Sequence, residues 1–154
     1  MTGDNIEEVA WQDSYAVYVF SCKSGVYENV FELLPSENSP KILLVDDLNA
    51  NGTFEIFISR SGRRYVHTLQ IWEWNGNEFA SLIDISEDNL TTDRLVTTGF
   101  DYSIQETADN RLREFVVTAS SPLSLYSQSN VVVLDQSKTI ILKWDGQNYI
   151  VANQ

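Results

Sequence analysis

The chain is poor in the residues that usually carry catalysis or covalent cross-linking. It holds one cysteine, Cys22, and one histidine, His67. A single cysteine excludes an intrachain disulfide framework and a multi-cysteine zinc site. One His and one Cys leave little material for Ser-His-Asp or Cys-His chemistry. Positive charge is scarce as well: 10 Lys plus Arg face 22 Asp plus Glu, a net charge of −12. Such a field repels phosphate backbones and anionic lipid, so no nucleic-acid partner and no membrane-surface role is expected, whereas divalent cations are compatible with it. No apolar run approaches the roughly 18 residues of a membrane-spanning helix, so no membrane insertion is expected. The opening MTGDNIEEVA is acidic and lacks the apolar centre of a signal peptide, which leaves open a leader already removed.

What is present is a globular composition: 154 residues, 43% hydrophobic and 21% charged. That suits one domain with a real core. Only seven glycines and three prolines occur, and five of the glycines fall inside two recurring motifs. The first motif is an acidic loop between apolar runs. Its fullest copy, ILLVDDLNANGTFEIFIS at 42–59, places Asp47, Asn49, Asn51, Gly52 and Glu55 at near-alternate spacing. A second copy, SIQETADNRLREFVVTA at 103–119, carries Glu106, Asn110 and Glu114, and a third opens the chain between Thr2 and Glu8. The second motif is a hairpin, IWEWNGNEF at 71–79 and ILKWDGQNY at 141–149, with Trp, then Asn-Gly or Asp-Gly, then an aromatic. Asn-Gly and Asp-Gly between apolar runs predict type I′ turns, with positive φ at both central residues. FSCKSGVY at 20–27 is a weaker copy with Cys22 at the Trp position.

Loop and hairpin therefore alternate three times, and the closing acids Glu8, Glu55 and Glu114 recur roughly every 50 residues, a spacing typical of solenoids, propellers and arrays. The division expected is a single repeat domain over 1–154, with units at 1–34, 41–83 and 95–152. About eleven short strands are read, rich in Val, Ile, Phe, Tyr and Trp. Four-strand units read as propeller blades. The first unit has three strands and lacks one ligand position, which predicts a longer parent chain, possible self-association through an open strand edge near Val9–Gln12 or Ala16–Ser21, or a docked partner strand there. Ser86–Leu95 reads as one helical turn, and the segment around Pro122 as an exposed excursion.

The acidic loop followed by Glu-Ile, together with the Trp-Asn-Gly hairpin, resembles FG-GAP/VCBS-type repeats, the blades of integrin-alpha-like β-propellers. Three degenerate repeats cover nearly the whole chain. The resemblance implies an all-β fold of three propeller-type blades of antiparallel strands, part of a larger or incomplete propeller. It implies a calcium loop with Asp47, Asn49, Asn51, the Thr53 carbonyl and Glu55 as ligands. Asn stands at two positions where the family often has Asp, which lowers ligand charge and affinity. The residues themselves allow calcium, which takes six to eight hard oxygens, but equally an Asx-rich turn that hydrogen-bonds its own backbone without metal. An EF-hand is excluded, because loop position twelve holds Ile58 and the flanks are strand-like. The function implied is a non-catalytic extracellular or cell-envelope module with a protein or glycan partner. The alternative is a carbohydrate-active or sugar-binding propeller using exposed aromatics and a carboxylate pair, with Glu106 and Asp109, or Asp101 and Glu114, as candidates.

Other residues have plainer roles. Cys22 reads as a small, partly buried hydrophobe and His67 as a strand-edge surface residue. Arg60, Arg63 and Arg64 read as an exposed hairpin tip, and Trp72, Trp74 and Trp144 as blade core, the sugar platform being the competing use. Asp84, Glu87, Asp88 and Asp93 read as a solvated loop.

Overall fold

A computed structural model describes residues 7–34, 39–61, 67–83, 85–87, 90–92, 95–97, 99–108, 112–119, 124–126, 131–133 and 139–152. Among them the chain is all-β. In order the strands are β1 (Glu8–Gln12), β2 (Val17–Lys23), β3 (Val26–Leu33), β4 (Ser39–Asp46), β5 (Glu55–Ser61), β6 (His67–Trp74), β7 (Phe79–Ser81) and β8 (Ile85–Glu87). They continue with β9 (Leu90–Thr92), β10 (Leu95–Thr97), β11 (Phe100–Glu106), β12 (Arg113–Ala119), β13 (Ser124–Tyr126), β14 (Val131–Val133), β15 (Thr139–Trp144) and β16 (Tyr149–Val151).

Three antiparallel sheets stack face to face. The first is β1-β2-β3, and the third is β11-β12-β15-β16. The second is the meander β4-β5-β6-β7, extended by β10, β13 and β14, which pair in turn beyond β6. Period-2 patterning explains the order of layers. In β2, Val17 and Val19 are buried while Tyr18 and Phe20 face outward, so one face packs inward. In β5 every residue from Glu55 to Ser59 is buried, as a strand covered on both faces must be. Its even-numbered Ile56 and Ile58 pack with Val17, Val19 and Phe79 against the first sheet. Phe57 packs with Leu69, Ile71, Phe115, Leu142 and Tyr149 against the third. Each such side chain contributes about 1.5–3 kcal/mol when fully buried. Phe57 and Phe115 stack with ring centroids 4.7 Å apart, and Tyr102 stacks on Phe115 at 5.1 Å. A bulge between Ile42 and Leu44 interrupts the β4–β5 register, and the Leu43 carbonyl there accepts the Tyr102 hydroxyl at 2.8 Å.

The stack is blade-like, and among the described residues it does not close into a ring. All eleven strands read from the sequence are present, and the described residues form sixteen. The described residues of Ser86–Leu95 form no helical turn. β8 and β9 pair as a hairpin and β10 begins at Leu95, in keeping with the β-branched residues of 90–97. The turns also differ from expectation. Asn75 and Asp145 open four-residue loops in which only the glycines, Gly76 at φ 99° and Gly146 at φ 109°, take positive φ. The Asn75 side-chain oxygen accepts the Asn77 and Glu78 amides, and Asp145 does the same for Gln147 and Asn148. The two-residue turn with both central φ positive is Ser24-Gly25, at 53° and 81°, between β2 and β3.

Candidate functional site at the Asp47–Glu55 loop

The loop joins β4 to β5, the outer two strands of the second sheet, where it meets the third. Its curl is set locally. Asp47 accepts the amides of Asn51 (3.1 Å) and Gly52 (3.0 Å), Asn49 Oδ1 accepts Asn51 N–H at 3.0 Å, and Asn51 Oδ1 accepts Thr53 N–H at 2.7 Å. These are successive Asx turns. They hold Ala50 at φ 56° and Gly52 at φ 89°, the left-handed region that a glycine tolerates and an alanine enters at a cost.

Glu55 is the centre of the site. It is 0% exposed. One oxygen accepts Leu48 N–H at 2.8 Å; the other accepts Asn49 N–H at 3.3 Å and the Tyr149 hydroxyl at 2.9 Å. Burial pushes the carboxyl up to about 7, the donors notwithstanding, and the nearby Glu73 adds to the rise. Burial and the facing Glu55 carboxyl push the Tyr149 phenol well up in turn. The buried Glu73 receives the side-chain amide N–H groups of both Asn49 and Asn51, each at 2.9 Å.

The third sheet closes the arrangement. Arg113 makes a bidentate pair with Asp46 at 2.7 Å to each oxygen and reaches the Asp47 carbonyl at 2.8 Å. The guanidinium hydrogen bonds hold the Asp46 carboxyl below its ordinary range. Arg113 N–H donates to the Leu48 carbonyl, and Tyr149 N–H donates to the Leu82 carbonyl at 2.7 Å. The loop is therefore a polar staple between two stacked sheets, with every buried carboxylate oxygen it uses matched to a donor.

The structure thus brings Asp47, Asn49, Asn51 and Glu55 onto one short loop with Thr53 at its rim. In this arrangement the residues do not fit a calcium ion. Glu55 has its two oxygens engaged by three protein donors. The amide orientation of Asn49 and Asn51 is fixed, because each side-chain oxygen already takes a backbone N–H, so their NH2 groups converge on Glu73. The two asparagines turn the positive ends of their amide dipoles toward Glu73.

The remaining candidates are dispersed. Glu106 ends β11 and is exposed, and Glu114 lies 3.9 Å from Lys143. Asp101 pairs with Thr118 and Glu114 with Gln105, four rungs apart or roughly 13 Å, beyond the about 5–10 Å of a glycosidase carboxylate pair. Asp109, Asn110, Arg63, Arg64, Asp84, Asp88, Asp93 and the 2–6 segment lie outside the described residues. Arg60 donates to the Leu34 carbonyl, and His67 opens β6 beside the Ser61 hydroxyl at 3.1 Å. Trp72 and Trp74 pack on the core between the first and second sheets, and Trp144 on that between the second and third. Cys22 is a free, half-buried thiol opposite Tyr27.

Sequence reasoning missed Glu73, Tyr149, Arg113 and Asp46 as members of this site. Tyr149 was visible only as a hairpin aromatic and Asp46 only as the neighbour of a spaced acid. No family model, curated protein or solved structure matches the chain.

Proposed function

We propose that the chain is a non-catalytic interaction module of FG-GAP/VCBS type, displayed outside the cell or in its envelope, in which the acidic loop serves structure and the exposed sheet surfaces serve binding. The observation that supports this reading best is the state of Glu55. A carboxyl held near neutrality is the usual raw material of a general acid. Here it is sealed from solvent and committed to Tyr149, Leu48 and Asn49. Large apolar side chains, in contrast, are exposed on the first sheet: Trp11 at 50% and Tyr27 at 48%.

The test is a turnover assay on a panel of polysaccharides and aryl glycosides with the wild type and Glu55→Gln. The reading predicts no product from either protein. Hydrolysis by the wild type that disappears in Glu55→Gln would place the chain among carbohydrate-active enzymes. For location, fractionation of the native host predicts the protein in the envelope or medium; a purely cytosolic pool contradicts that part.

A further inference from the structure

The first sheet has one face in the core and one in solvent. The solvent face is built by alternate residues: Val9 and Trp11 from β1, Tyr18 and Phe20 from β2, Tyr27 from β3. Cross-strand register puts Val9 opposite Phe20, Trp11 opposite Tyr18 and Cys22 opposite Tyr27. Trp11, Tyr18 and Phe20 form a continuous stacked row, with centroids 5.4 and 6.1 Å apart. Val9, Trp11, Phe20 and Tyr27 line an open, almost wholly apolar groove of about 490 Å³. That volume lies within the range of ligand-binding clefts. Isolated exposed apolar residues are ordinary, but a contiguous apolar patch of this kind marks an interaction surface.

Charge says what fits it. The same alternation places Glu7 before Val9, Asp13 beyond Trp11, and Glu32 opposite Tyr18. Burial and then the Asp13 and Glu32 carboxylates raise the Tyr18 phenol, and burial followed by Glu7 raises that of Tyr27. Among the described residues of this face no Lys, Arg or His occurs; Lys23, at the hairpin end, sits 3.6 Å from Glu28. A second copy of a chain with net charge −12 would meet this face with like charge. Lys and Arg can lay their aliphatic stems on apolar surface while their heads reach carboxylates.

We propose that this face docks a cationic polypeptide strand, its apolar side chains in the Val9–Trp11–Phe20–Tyr27 groove and its Lys or Arg heads on Glu7, Asp13 and Glu32. The inference rests on the interaction-module reading and names its surface and partner class. Glu7 and Asp13 flank β1 six residues apart, roughly 20 Å of extended chain. The matching segment has a cation, two alternate apolar residues and a second cation in the same period-2 register.

The experiment uses the full chain and the synthetic peptide acetyl-Lys-Thr-Val-Thr-Leu-Thr-Lys-amide, with a control in which both Lys are Glu. Amide chemical shifts are followed on titration. The expected result is saturable shifts confined to residues 7–13, 18–22 and 27–32, no response to the Glu peptide, and affinity falling at least about tenfold in Trp11→Ala. Glu32→Gln keeps the fold and weakens binding most at low salt. Four outcomes overturn the proposal: shifts spread over the whole acidic surface, an equal response to the Glu peptide, shifts at this face only with a glucan oligosaccharide, or self-association through it in light scattering. The turnover assay is independent: hydrolysis by Glu55 sinks the interaction-module reading whatever the peptide does. A silent peptide with no turnover overturns this proposal as well, and leaves the interaction-module reading standing.

Discussion

Glu55 makes the fold pH-sensitive in an unusual direction. Its carboxyl titrates at an ordinary 4.5 when exposed and at about 7 when folded. A raised folded value means that the native state holds a proton the unfolded chain has released. The associated stability is complete below pH 4.5 and is lost as pH rises through about 7. Each pH unit is worth about 1.4 kcal/mol in that window, so the full span amounts to about 3 kcal/mol. For a chain of 154 residues that corresponds to roughly 6–12 °C in Tm. Asp46, held low by Arg113, acts in the opposite sense but below its ordinary 3.8, outside this window. Urea unfolding followed by circular dichroism at pH 5 and pH 8 measures the effect, and Glu55→Gln isolates it. The neutral amide pays a pH-independent loss of hydrogen bonding, about 1–2 kcal/mol, and has no charge to bury. Wild-type stability should therefore fall between the two pH values by about 2.5 kcal/mol more than that of the variant. Identical slopes in both proteins, or a wild type whose excess over the variant grows with pH, would refute the reasoning.

Two further perturbations probe the same account. Tyr149→Phe removes the hydroxyl donor to Glu55 and should destabilise by about 1–3 kcal/mol, more at pH 8, where the carboxylate is charged, than at pH 5; an equal cost at both, by the same unfolding assay, would mean that the hydrogen bond is not formed. Gly76→Val should cost about 1–3 kcal/mol, because a Cβ there meets nothing within 4 Å and the whole penalty is backbone strain at φ 99°. A Tm equal to wild type would place Gly76 outside the left-handed region.

The parts legible in the sequence were those with local causes. The hairpins at Trp74–Phe79 and Trp144–Tyr149 announce themselves by a glycine in an Asx turn between apolar runs, although the turn class came out longer than the Asn-Gly and Asp-Gly pairs suggest. The Asx character of the 47–53 loop is equally local, each side chain bonding an amide within five residues. The strands β8, β9, β10, β13 and β14 escaped because three residues show no period, and the edge of β6 that β10 joins carries no mark in its own sequence. The partners of the loop were out of reach for a different reason. Glu73 lies 24 residues from Asn49, Arg113 67 residues from Asp46 and Tyr149 94 residues from Glu55. The Glu73 contact needs β6 brought beside β5 within the second sheet; the Arg113 and Tyr149 contacts exist only because the second and third sheets stack, and that stacking is decided by Phe57, Phe115 and their neighbours in the core.

The central claim is that the acidic loop is a hydrogen-bonded staple complete in itself, with Glu55 capped by protein donors and Glu73 by two asparagine amides. Thermal unfolding in EDTA and in millimolar calcium chloride at fixed pH and ionic strength tests it most directly. The account predicts the same Tm in both, with Glu55→Gln showing no calcium response either. A saturable rise in the wild-type Tm with calcium, lost in Asp47→Ala, would contradict it and restore Asp47, Asn49, Asn51, Thr53 and Glu55 as metal ligands.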